Sequence, residues 1–137
     1  MKVKLEAEVL VLVLEIGEEI ISTLTRFVAD RKIYAGTLSA IGALRDFELG
    51  YYFLDRKEYG RRKFEAIHEL VSFTGNIGIR EAKSFLHVHA SLGREDYSLV
   101  AGHLFSGIVA VTAEVILHPL PGKMERTFDE WTGLYLF

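Results

Sequence analysis

The stretch KVKLEAEVLVLVLEIGEEIISTLTRFVAD, residues 2–30, changes its hydrophobic period once, and that change sets the fold class. Up to Leu14 the apolar residues Val3, Leu5, Ala7, Val9, Val11 and Val13 alternate first with Lys2, Lys4, Glu6 and Glu8, then from Val9 with further apolar residues. A two-residue period is that of a strand, and its apolar second half predicts burial on both faces. Gly17 stops it. Ile20, Ile21, Leu24, Phe27 and Val28 then recur at helical spacing, and Glu18 and Glu19 stand where the positive end of a helix dipole favours carboxylates. The reading is a long strand followed by one main helix over residues 18–30.

No later segment has a helical period. Apolar and alternating runs near Ile33–Leu44, Phe47–Leu54, Phe64–Phe73, Lys83–Leu92, Leu99–Leu104, Ile108–Leu117 and Thr132–Phe137 read as strands. Short connections at Asp55–Gly60, Gly93–Asp96 and Phe105–Gly107 suit antiparallel pairing. One helix against a large, mostly antiparallel sheet is an α+β architecture. A single helix cannot cover so many strands, so apolar sheet surface is left over and self-association is expected. No linker or low-complexity tract divides the chain, which reads as one domain over residues 1–137.

Composition excludes several function classes. The 137 residues are 50% hydrophobic and contain no cysteine, so disulfide frameworks, zinc fingers and thiol nucleophiles are absent and an intracellular, cytoplasmic location is the default. The longest apolar run, Val9–Leu14, is far short of the roughly 20 residues of a membrane-spanning helix. Glutamate at positions 6, 8 and 15 around it also speaks against a signal peptide. Sixteen basic against nineteen acidic residues give a net charge of −3, which disfavours non-specific nucleic-acid binding. Glutamine is missing and Asn76 is the only asparagine, a depletion expected of a heat-adapted protein.

The chemistry concentrates in Ser84-Phe85-Leu86-His87-Val88-His89-Ala90-Ser91-Leu92. Strand alternation puts Leu86, Val88, Ala90 and Leu92 on one face and His87 and His89 on the other, about 7 Å apart at the backbone. His103, in Ala101-Gly102-His103-Leu104, reaches the same face if the two strands form a hairpin, with Gly102 letting backbones approach closely. Three neutral imidazoles and an open position form a catalytic-type zinc ligand set, and other divalent metals suit imidazole too. Structural histidines bonded to carbonyls are the alternative. Glu114 has three readings: a fourth ligand, a group orienting a histidine, or a solvent-facing charge. His118 reads as a turn residue before Pro119, and His68 has no partner by spacing.

Phosphate-binding glycine loops and the Gly-x-Ser-x-Gly elbow are absent from the sequence. The segment Asp55–Lys63 carries Arg56, Lys57, Arg61, Arg62 and Lys63 against two acids. It reads as a solvated hairpin tip, or as a weak, salt-sensitive phosphate-contacting patch whose copies add in an oligomer.

Six elements in order, Ile16-Gly17-Glu18-Glu19-Ile20, Ser39–Ala43, Glu69–Ile77, Leu86–Leu92, Gly102-His103-Leu104 and Ala113-Glu114-Val115, resemble the plants-and-prokaryotes-conserved (PPC) domain over nearly the whole chain. The resemblance implies an α+β fold with a seven- to eight-stranded antiparallel sheet and a homotrimeric assembly. It also implies a prokaryotic single-domain protein of the kind called DNA-binding by analogy with plant proteins, in which the domain follows AT-hooks. No Arg-Gly-Arg-Pro hook occurs in this sequence. Carried over position by position, His87, His89 and His103 become the expected ligands of a divalent metal, zinc first. A binding or regulatory role is expected; the alternatives are DNA association and a metal-dependent hydrolase or lyase with Glu114 as base.

Overall fold

The computed structural model describes every residue except Ala7. The alternation expected through Ala7, and the side chains of Lys4, Leu5 and Glu6 beside it, lie outside the described residues. The elements are β1 (Lys2–Glu6), β2 (Val9–Leu14), α1 (Ile20–Asp30), β3 (Gly36–Phe53), β4 (Glu58–Phe64), β5 (His68–Arg80), β6 (Lys83–Gly93), β7 (Leu99–Pro119), β8 (Glu125–Asp129) and β9 (Leu134–Leu136).

Among the described residues nine strands form one sheet, antiparallel apart from a short parallel pairing of β5 with β8. Its path runs β1-β2-β7-β3-β5-β8-β9, with β4 on β3 and β6 joining β5 to β7. Strands β3, β5, β6 and β7 therefore close a ring of pairings. Several features differ from the sequence reading. The expected run Phe64–Phe73 is split, Phe64 ending β4 and His68 opening β5; β4 begins inside the expected connection Asp55–Gly60; and β8 was not foreseen. The first run is not one long strand: Lys2 pairs with Val13 and Glu6 with Val9, so β1 and β2 are a hairpin. Conversely, runs read as separate strands are continuous. The residues of Phe105–Gly107 lie inside β7, and β3 passes through Asp46 at φ 46° with register shifts rather than a turn. A bulge re-aims a strand without ending it.

The helix begins where two adjacent carboxylates fall. Glu19 is its N-cap, its side chain accepting from Ile21 N (3.2 Å) and Ser22 N (2.6 Å), donors that have no partner inside the helix. The same carboxylate accepts from Gly107 N at 2.9 Å and so fastens the helix start to β7. Ile20, Leu24, Phe27 and Val28 are buried against the sheet with Leu12, Leu14, Phe47, Phe73 and Leu117.

The other face of β2 was expected to be covered. Leu10, Leu12 and Leu14 are buried, whereas Val9, Val11 and Val13 are only half-buried. Cross-strand register places Val13 beside Glu114 and Glu114 beside Ile41, so this face continues over β7 and β3. Ile41, Val71 and Val111 are all more than half exposed. The sequence prepares this face for burial, and one chain alone does not supply the cover. No described helix is long and apolar enough to cross a membrane.

Candidate metal centre

His87 and His89 alternate with buried Leu86, Val88 and Ala90 on β6, which turns both imidazoles away from the core. The β6–β7 hairpin then sets His103 directly opposite His89, with Gly102 opposite Ala90. A Cβ on Gly102 would lie 2.6 Å from Gly50 O of β3, so only glycine lets β7 approach there. The three rings stand with centroids 5.1, 5.2 and 5.5 Å apart, and one ligand nitrogen from each lies within 4.8 Å of the others.

The closest pair is His87 Nε2 and His89 Nε2 at 3.2 Å. Two nitrogens on a tetrahedral ion, each about 2.0–2.1 Å from it, stand about 3.3 Å apart, so the pair already has the spacing a metal needs. Burial, Arg126 and His89 hold His87 well below the usual histidine range, at about 4. Burial and the neighbouring His87, His89 and Arg61 bring His103 to about 4 as well. Both rings are therefore neutral at pH 7 and can offer lone pairs without first losing a proton. His103 Nδ1 is buried without a hydrogen-bond partner, an orphaned polar atom that the protein itself leaves unexplained. Donor chemistry and spacing thus fit a divalent ion.

Glu114 is not among the groups gathered there. It is exposed farther along β7, on the face of Ile41 and Val71. Its position gives a solvent-facing charge on an apolar face, not a ligand, an orienting group or a base beside the histidines. His68 is a core residue, its Nδ1 3.0 Å from Ala66 O and its ring edge-on to Phe47 at 4.9 Å. His118 is exposed and still within β7, rather than in a turn.

The basic hairpin β3–β4 is not one patch. Neighbouring strand residues point to opposite faces, so Arg61 and Arg62 diverge. Arg61 lies over the Phe105 ring at 3.7 Å and Arg62 over Phe64 at 5.1 Å. Arg56 bonds Glu58 at 2.9 Å and covers Phe53, and Lys57 Nζ donates to Glu130 O at 2.6 Å. Lys63 is exposed, opposite Glu48.

Residues 1–121 match the model of the Plants and Prokaryotes Conserved (PCC, also written PPC) domain. The chain belongs to this family. Among solved structures, this PPC chain resembles the metal-containing protein of Archaeoglobus fulgidus, with 36% identity and a TM-score of 0.90 over 100% of this chain and 99% of that one. A Pyrococcus horikoshii PPC protein gives 30% and 0.89 over 99% and 94%. A candidate DNA-binding protein of Bacteroides thetaiotaomicron gives 28% and 0.95 over 98% and 94%. A search of curated proteins found no match.

The sequence reading passed over the residues around the triad. A cavity of about 310 Å³ adjoins it, lined by Tyr59, Arg80, Phe85 and Phe105 as well as His87 and His103. Arg126 of β8 closes it, only 6% exposed, with Nη2 2.7 Å from Asn76 Oδ1 and 3.3 Å from His87 Nδ1. An arginine in Glu125-Arg126-Thr127 reads as a surface charge.

Proposed function

We propose that this PPC protein binds a divalent metal ion, zinc by donor chemistry, through His87, His89 and His103, and acts as a binding or regulatory protein rather than by turnover. The observation that carries this is the convergence of three imidazole nitrogens within 4.8 Å on adjacent antiparallel strands. The description of the A. fulgidus relative as metal-containing supports a metal there. Bound there, zinc would supply Lewis acidity at its remaining position. The protein's part is to hold three imidazole rings on rigid strands and to shield them with Tyr59 and Phe105, whose rings lie 5.2 and 4.6 Å from His103. Among the described residues no carboxylate lines the adjoining cavity, which weighs against a hydrolase or lyase needing a base. Zinc titration of chelator-stripped, tag-free protein tests the reading: one saturable site per chain is expected, and its persistence after replacement of all three histidines by alanine contradicts it.

Assembly as a homotrimer is part of the proposal, supported by the uncovered face of Ile41, Val71 and Val111. DNA association is the reading that the B. thetaiotaomicron relative's description supports. Here it would rest on Arg56, Lys57, Arg61, Arg62 and Lys63, most of them already engaged with local rings and acceptors. Low-salt duplex binding that weakens with added salt and with charge reversal of Arg61, Arg62 and Lys63 is its test.

A further inference from the structure

We propose that the cavity beside the histidine triad is a binding site for a small organic carboxylate, whose charged end is held by Arg126 and Arg80 and whose apolar body lies among aromatic rings. Arg126 is 6% exposed, and its partners are neutral: Tyr135 O at 3.1 Å, Asn76 Oδ1 and His87 Nδ1. Among the described residues none of the ion pairs involves it. Buried charges are ordinarily paired, because their desolvation is otherwise uncompensated.

A second guanidinium sharpens the point. Arg80 lines the same cavity, and Nε of both arginines is buried with no hydrogen-bond partner. Arg80 Nε is ion-paired at 3.5 Å with the exposed Glu81, whose carboxylate also accepts from Tyr135 Oη, so Arg126 is the guanidinium left without an anion. Two like charges on one wall with unused donors are a receptor for an anion.

The rest of the lining selects the kind of anion. Arg126 lies 5.7 Å from the Phe85 ring and 4.0 Å from the Phe137 ring, Arg80 5.5 Å from Phe85 and 4.2 Å from Tyr135. Tyr59, Phe105 and Leu104 continue an apolar wall. A phosphate surrounds itself with donors; a single carboxylate on an apolar body needs one charged end and a greasy remainder, which is this cavity. The anion's charge is met by the arginines, so the site does not depend on the metal reading. Arg126 also lies beyond residues 1–121 that match the family model.

Benzoate is the probe, with benzamide as its uncharged isostere and inorganic phosphate as the competing oxyanion. Binding is followed by nuclear magnetic resonance titration of chelator-stripped, full-length protein. Saturable benzoate binding, absent for benzamide, is expected to weaken about tenfold to a hundredfold in Arg126→Gln and also to weaken in Arg80→Gln. Equal binding of benzoate and benzamide, tighter binding of phosphate, or benzoate binding seen only with zinc present and indifferent to Arg126→Gln each overturn the proposal. If Arg126→Gln unfolds by circular dichroism, the comparison of benzoate with benzamide on the native sequence decides. The zinc titration is separate: benzoate without zinc keeps this site and removes the metal centre, and zinc without benzoate does the reverse.

Discussion

His89 of β6 and His103 of β7 are direct cross-strand partners, with ring centroids 5.5 Å apart at nearly a right angle. Register alone brings them together, and the two-residue strand period adds His87 on the same face. Loss of His103 should therefore cut zinc affinity at least about a hundredfold while leaving metal-free stability within about 2 kcal/mol, since the ring is only half-buried. His118→Ala, on the same strand but away from the cluster, should leave zinc binding unchanged. Calorimetric zinc titration and thermal unfolding of both variants check this.

Metal-free protein should lose stability on mild acidification. Folded His87 and His103 titrate near 4 against 6.5 for an unperturbed histidine, so between those values the unfolded chain binds protons that the folded chain refuses. Stability rises with pH across that window and flattens on either side. Urea midpoints at pH 4.5 and 7.5 should differ less in a His87→Gln, His103→Gln double variant than in the natural chain. An unchanged difference would contradict the assignment.

Gly102 makes the close contact beside the site. With Gly50 O only 2.6 Å from an added Cβ, Gly102→Ala must push β7 away from β3, costing about 1–3 kcal/mol by analogy with overpacked cores and displacing His103. Reduced zinc affinity together with a lowered urea midpoint is the expected result. Gly122→Ala is strained instead by its φ of +85°, with nothing near its added Cβ, and should lower stability without touching zinc binding.

Glu19 joins two jobs, capping α1 and holding Gly107 of β7. Glu19→Ala should cost about 1–2 kcal/mol, more than deletion of a surface carboxylate such as Glu95, measured by urea unfolding.

The uncovered sheet face makes its own prediction. Ile41→Lys with Val71→Lys should shift the protein from three times the 15.5 kDa chain toward the monomer in sedimentation equilibrium without unfolding it, because both residues are more than half exposed in the single chain. A natural chain that sediments as a monomer contradicts the trimer.

Legibility followed the physics of each element. The helix was readable because Gly17, two carboxylates and a clean 3.6-residue stripe coincide, and the cap geometry of Glu19 bears this out. The β1–β2 hairpin was not, because no Gly, Pro, Asn or Asp marks its turn and the alternation of Glu6 with Glu8 runs through it. Breaks were read into β3 and β7 because bulges and short polar stretches resemble turns in one dimension. The histidine cluster was legible from alternation plus one hairpin. Arg126 was not, since its burial comes from β8 docking beside β5, a contact no local pattern encodes.

X-ray absorption at the zinc edge, together with the metal content of tag-free protein, tests the metal centre most directly. About one zinc per chain is expected, bound by three imidazole nitrogens at about 2.0–2.1 Å and lost when His87, His89 and His103 are replaced. Less than about a tenth of an equivalent after zinc loading, or a coordination shell without imidazole, would contradict it.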